Sequence, residues 1–171
     1  VVKVRDYDHK GIDLGSLLRA APEIEAPFRR SRLEAGAILM SIRGTTGVLV
    51  IVPPELKGAN ITQDTARIRV STDDVPYLYQ ALHAPSVQRQ IRLHTVGQAV
   101  RRINIASVRS LQIPWPESKK RKLIARSLSM LDQRIQLLDA LCDRKVEYKL
   151  GLAQQLLTGK MRFQDFVNKP W

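Results

Sequence analysis

Apolar and polar positions follow two different periods along this chain, and the change of period divides it. Gly36-Ala37-Ile38-Leu39-Met40-Ser41-Ile42-Arg43-Gly44 alternates in part and stops on glycine, and Val48-Leu49-Val50-Ile51-Val52 is a β-branched run stopped by Pro53-Pro54. The two read as strands joined by the hairpin-type loop Arg43-Gly44-Thr45-Thr46-Gly47. Ala66 to Val70 alternates and predicts a third strand, and residues 74–90 predict one or two short helices, with Pro85 interrupting and Ser86 as a cap. Residues 97–102 are a basic loop. Ile103-Asn104-Ile105 and Leu111-Gln112-Ile113 read as brief extended pieces. Pro114-Trp115-Pro116 forces an extended exit, because proline lacks the N–H a helix needs and restricts the residue before it.

Beyond Pro116 the period becomes helical. From Glu117 to Leu157 there is no proline and one glycine, Gly151. Ile124, Leu128, Leu131, Ile135, Leu138, Cys142, Lys145, Lys149, Leu152 and Leu156 form a 4-3-4-3 series in which eight of ten positions are apolar. A helix from Lys119 to Leu156 would be about 57 Å long at 1.5 Å per residue. That is longer than the preceding domain is expected to be wide, so part of its apolar stripe needs another helix. The two lysines predict an interrupted seam or a register shift near Cys142, and Gly159 is a natural stop. The fold class is therefore α+β: a globular mixed α/β domain over residues 1–116, then a long coiled-coil-forming helix and tail over residues 117–171.

Composition narrows the chemistry. Of 171 residues 44% are hydrophobic and 26% charged, which suits a folded domain and neither whole-chain disorder nor a disulfide scaffold. A single cysteine permits no intrachain disulfide, and with three histidines beside it no Cys/His zinc cage can be assembled. No stretch approaches the 18 to 20 or so apolar residues of a membrane helix, and no signal peptide is marked. A soluble, cytoplasmic protein without a membrane partner is expected. Because Val1 opens directly in strand-like text, the chain is expected to be a piece of a longer protein, its first domain lacking an N-terminal part.

The net charge is +12, and its location matters more than its size. Residues 1–86 hold 11 Lys/Arg against 10 Asp/Glu, and residues 127–171 hold 7 against 5. Residues 87–126 hold Arg89, Arg92, Arg101, Arg102, Arg109, Lys119, Lys120, Arg121, Lys122 and Arg126 against Glu117 alone. So concentrated a patch suits phosphate neutralisation and counterion release, and points to a polyanion such as nucleic acid.

Enzymatic constellations are missing. Gly44-Thr45-Thr46-Gly47 is too short for a phosphate-binding loop, and Gly159-Lys160-Met161 lacks the upstream glycine and the Ser/Thr that would meet magnesium. Glu147-Tyr148-Lys149 has the text of some metal-dependent nucleases, but on a helix it and Asp132, Asp139 and Asp143 point around the axis instead of converging. Asn168-Lys169-Pro170-Trp171 lacks the first proline of an adenine-methyltransferase motif and reads as a chain tail. His9, His83 and His94 sit apart from any Ser or Cys nucleophile pattern.

Leu156-Leu157-Thr158-Gly159-Lys160-Met161-Arg162-Phe163, after Gly151-Leu152-Ala153-Gln154-Gln155, closely resembles the end of a half-repeat in the specificity subunit of type I restriction-modification enzymes. The resemblance continues upstream through the Ile-Pro-x-Pro exit at Ile113-Pro114-Trp115-Pro116 and the helix text Ile124-Ala125-Arg126-Ser127-Leu128-Ser129-Met130-Leu131-Asp132. Ser41 to Gly47, Gly58 to Gln63, Ser86 to Gln90 and Ala99 to Asn104 also look like family text, in family order. The similarity covers roughly residues 33 to 163. The chain departs from the pattern at Gly36-Ala37, where Gly-Asp is common, and at Glu117-Ser118-Lys119-Lys120-Arg121-Lys122, where the family often has a proline- and glutamate-rich helix start.

This resemblance implies a non-catalytic DNA reader: a target recognition domain reads one half of a bipartite target, and antiparallel long helices hold two such domains at a fixed spacing. It implies docking of methyltransferase subunits and, through them, of a restriction and translocation subunit. S-adenosylmethionine, ATP and magnesium are then expected only on those partners. The second recognition half would come from self-pairing or from the same longer chain. Arg43, Gly44, Thr45 and Thr46 are candidate DNA contacts on a loop whose glycines permit close backbone approach, the alternative being an ordinary hairpin. Asn60, Thr62 and Gln63 offer amide and hydroxyl groups for adenine or phosphate, or else stabilise a turn. Gln98, Arg101, Arg102 and Asn104 combine the charge peak with side chains that read guanine or adenine edges. Ile124, Leu128, Leu131, Ile135, Leu138, Leu152 and Leu156 are the candidate helix-pairing residues. The competing reading is a coiled-coil structural adaptor without DNA specificity of its own.

Overall fold

The computed structural model describes residues 1–8 and 10–164. His9 and the 168–171 tail therefore lie outside the described residues. The chain forms two compact units, the first Val1–Arg126 and the second beginning at Ser127. Strands β1 (Tyr7–Asp8) and β2 (Gly11–Ile12) make a small antiparallel pair, followed by the short helix α1 (Pro22–Glu25). The main sheet has three antiparallel strands in the order β4-β3-β5, with β3 (Ile38–Ser41) between β4 (Leu49–Ile51) and β5 (Thr65–Ile68). Its register pairs Leu39 with Val50 and with Arg67.

All four residues of β3 are buried, because both faces of the sheet are covered. Successive strand side chains point to opposite faces. Ile38 and Met40 pack with Val75, Leu78, Leu82, Val87 and Ile91 from helices α2 (Val75–His83) and α3 (Pro85–His94), together with Ile103. Leu39 faces the other way, with Val50, Val2, Tyr7, Leu33 and Leu56. Ser41 is 0% exposed yet polar; its hydroxyl donates to Thr45 O and accepts from Val48 N at 2.9 Å, so its burial leaves no orphaned group.

Three details differ from the sequence expectation. The third strand begins at Thr65 and ends at Ile68. At the second helix of the pair Ala84 occupies the cap and Pro85 the first turn, where a fixed φ and a missing N–H cost nothing; Ser86 lies inside. Ile105 is not extended but opens helix α4 (Ile105–Arg109), because Asn104 Oδ1 accepts from Ser107 N at 2.7 Å and caps it.

The predicted long helix is α5 (Ser118–Leu157), 40 residues without a break, or about 60 Å. It runs through Cys142 continuously. Among the described residues Ala125 is its one buried side chain. Ile124, Leu128, Leu131, Ile135 and Leu138 are 38–60% exposed, while Leu152 and Leu156 are half-buried. No helix among the described residues is long and apolar enough to cross a membrane.

Candidate nucleic-acid interface

The β3–β4 hairpin builds the first loop of the site. Ser41 N donates to Val48 O and Gly47 N to Ser41 O, both at 2.9 Å. Residues 43–46 therefore bulge from a closed frame, with Gly44 at φ +78° and Gly47 at φ +85°. A Cβ at Gly47 would come within 3.1 Å of Ile91 Cγ2, so the glycine lets the loop lie close against α3. Gln88 on α3 donates its amide to Leu82 O at 2.9 Å and reaches Gly47 O at 3.5 Å.

A second loop lies beside the first. Val96 and Arg102 exchange backbone hydrogen bonds of 2.9 and 2.8 Å, closing residues 97–101 into a tight turn. Gly97 has φ +105°, and a Cβ there would lie 2.3 Å from Val100 O. The two loops are stitched together: Gly44 N donates to Arg101 O at 2.9 Å, Arg43 bridges Arg102, Ile103 N donates to Ile42 O, and the Thr46 and Thr95 hydroxyls meet at 3.1 Å. Arg43, Gly44, Thr45, Gln98, Arg101 and Arg102 are all exposed and Thr46 is half-buried. Residues far apart in the chain thus share one end of the sheet.

The third candidate segment joins in part. Ile42 N donates to Asp64 O at 2.8 Å, and the Arg43 guanidinium lies 3.6 Å from Asp64 Oδ1. Gln63 is exposed and Thr62 half-buried. Asn60, by contrast, is 7% exposed, and its amide donates to Glu25 Oε1 at 3.0 Å. Glu25 is held at a pKa of about 2, first by the two hydrogen bonds from Arg32 and next by that amide. Asn60 therefore belongs to a charged brace behind the loop surface. Asn104 is exposed, but its Oδ1 is committed to the α4 cap.

The structure also sorts the basic patch. Lys120, Arg121 and Lys122 pair with Glu117, Asp74 and Asp73. Among the described residues Arg89, Arg92, Arg101, Arg102, Arg109, Lys119 and Arg126 make no ion pair, so the uncompensated charge lies on α3, the 97–102 loop, the end of α4 and the first turns of α5. Lys3 and Arg5, the latter paired with Asp6 at 3.6 Å, share with Arg43, Gly44, Thr45, Asp64 and His83 a cleft of about 770 Å³. No sequence motif pointed to those two, since only folding brings the N-terminal segment beside the hairpin. Fixed guanidinium forks and a glutamine amide can bond phosphates, guanine or adenine edges. Among the described residues no group of three His, Cys, Asp or Glu side chains could hold a metal ion.

Comparison with known proteins gives this geometry a family. The chain is 24% identical over 133 residues to the type I restriction enzyme EcoBI specificity subunit of Escherichia coli, a match covering 77% of this chain and 28% of that protein. Its fold is similar to the crystal structure of the type I restriction-modification system S subunit from M. genitalium, with a TM-score of 0.60 and 21% identity over 71% of this chain and 32% of that one. The chain thus spans about a third of the length of each. The family model for the type I restriction modification DNA specificity domain matches residues 26–143, most of both loops' supporting fold and more than half of the long helix. On that match the chain belongs to the family of the type I restriction modification DNA specificity domain.

Proposed function

We propose that this chain reads one half of a bipartite duplex target through residues 1–116 and that residues 117–171 set its spacing from a second reader. One observation carries the reading: the 43–46 and 97–102 loops are fused by backbone hydrogen bonds into a single exposed surface whose arginines have, among the described residues, no counter-ion beyond Asp64. Arg101, Arg102 and Gln98 supply base-edge and phosphate donors, and Arg43, Gly44, Thr45 and Thr46 approach the backbone. Thr62 and Gln63 flank them, Asn60 supports them from behind, and Asn104 contributes its amide.

The second reader is held by helix pairing, through self-association or within a longer chain. The half-exposed Ile124, Leu128, Leu131, Ile135 and Leu138 form an apolar seam, extended by Leu152 and Leu156. Full burial of such a side chain contributes about 1.5–3 kcal/mol, so the seam favours a partner helix over water. Methyltransferase subunits dock on the paired helices, bring S-adenosylmethionine, and in turn carry the ATP- and magnesium-dependent restriction subunit, all in the cytoplasm.

The test is selection from a random duplex pool with the methyltransferase subunit present, at two salt concentrations. One bipartite sequence should be enriched, with affinity falling steeply as salt rises. Replacing Arg101 and Arg102 by glutamine should flatten the log–log salt slope by roughly one for each phosphate no longer neutralised. A complex that forms but enriches no sequence would replace this reading with that of a structural adaptor.

A further inference from the structure

Helix α5 begins with a charge pattern that opposes its own dipole. Its first turn carries Lys119, Lys120, Arg121 and no acid, although a helix N-terminus favours negative charge. The missing acids come from another element. Arg121 Nε donates to Asp74 Oδ1 at 2.7 Å, and Lys122 Nζ to Asp73 Oδ2 at 2.8 Å. Asp74 is itself oriented by Ser71, whose hydroxyl donates to Oδ2 at 2.9 Å.

Arg121 is fixed in two further ways. Its Nη1 donates to Pro116 O at 2.6 Å, and its guanidinium lies 4.5 Å over the Trp115 ring. Trp115 meets Tyr77 edge to face, centroids 5.5 Å apart, and Tyr77 donates its hydroxyl to Pro114 O at 2.7 Å. The Arg121 and Asp74 side chains are only 13% and 14% exposed. A surface ion pair between flexible chains would fix little; a sheltered, planar guanidinium held by a carboxylate, a carbonyl and a ring has one orientation. All these residues belong to the first unit. The departure from the family's glutamate-rich helix start is thus matched by Asp73 and Asp74.

We infer that Asp74, Arg121 and Trp115 form a positioning clamp that fixes the direction in which α5 leaves the recognition domain and so sets the tolerance of the spacing between half-sites. The clamp touches no base. It rests on the bipartite reading above for its effect on DNA, though not for its mechanical role.

Two measurements separate these. Spin labels at Ser86→Cys and Gln133→Cys, in a Cys142→Ser background and diluted with unlabelled chain, report the domain-to-helix distance distribution by pulsed electron resonance. Arg121→Met and Asp74→Asn should widen a narrow distribution at least twofold. Selection from the random duplex pool should then yield the same half-site bases with two or more spacer lengths in place of one. Should Arg121→Met lower the domain's Tm, Arg121→Lys keeps the charge and stack without reaching both acceptors, and the same widening is expected. A broad distribution in the unsubstituted chain, or one unchanged by Arg121→Lys and Asp74→Asn, overturns the clamp. Widening without any spread of spacers refutes its role in spacing. A clamp-dependent distribution with no bipartite sequence enriched refutes the recognition reading alone.

Discussion

Replacing Gly97 by alanine tests whether the 97–102 loop is a rigid reading element. At φ +105° an alanine is strained whatever the surrounding space, and here the new Cβ would lie 2.3 Å from Val100 O and 3.2 Å from Val100 C. Cβ contacts under 3.0 Å essentially never occur, so the loop must open by at least 0.7 Å, the difference between 3.0 and 2.3 Å. It has two ways to do so. Retaining the closed form stores backbone strain of about 1–3 kcal/mol. Opening it sacrifices the reciprocal Val96–Arg102 hydrogen bonds, each worth about 0.5–1.5 kcal/mol net. Either route predicts a destabilisation of about 1–3 kcal/mol. Urea denaturation measures that loss, and hydrogen exchange at the Arg102, Val96 and Gly44 amides locates it. Affinity for the selected duplex should fall by about tenfold or more, since 1.4 kcal/mol is one decade. Stability within about 0.5 kcal/mol of the parent, with the Arg102 amide still protected, would show that the loop is loose and the rigid-surface argument wrong.

Two other expectations follow from burial and charge. Ile91→Ala, at a position 1% exposed in the α3 core contact, should cost about 2–5 kcal/mol in denaturation, whereas Leu131→Ala, at 51% exposure, should leave the unpaired chain's stability nearly unchanged and weaken self-pairing about tenfold or more by sedimentation. Equal effects on stability would contradict the exposed seam. The folded chain keeps Glu25 ionised down to about 2 while the unfolded chain protonates it near 4.5; the stability it contributes is fully present above pH 4.5 and lost as pH falls through about 2. Glu25→Gln should therefore flatten the urea midpoint against pH in that window, and an unaltered acid limb would refute the Arg32–Glu25–Asn60 brace.

Local signals in the sequence carried the strands and the long helix because their causes are local. Val48 to Val52 ends at two prolines, Pro114 to Pro116 cannot enter a helix, and α5 has a period of its own. Partnership across the chain was not legible. Asn60 reads as a DNA-facing amide until Glu25, 35 residues away, takes its donor. The run Lys119 to Lys122 reads as unbalanced charge until Asp74, 47 residues upstream of Arg121, answers it. Asn104 did carry a local signal, since an Asn three residues before Ser107 can cap a helix. The apolar neighbours Ile103 and Ile105 argued for an extended piece instead, and the cap prevailed. The family text pointed to both candidate loops, but only the backbone hydrogen bonds between them show that they form one surface.

The buried hydroxyl of Ser41 decides which positions of the hairpin loop are free to vary. It closes the hairpin from beneath, donating to Thr45 O and accepting from Val48 N, and so uses only main-chain atoms of the residues it restrains. The side chains at positions 43, 45 and 46 contribute nothing to that closure. Positions 43 and 45 can thus vary on a mount of Ser41, Gly44 and Gly47 without rebuilding the hairpin, whereas Thr46 is also held by the Thr95 hydroxyl.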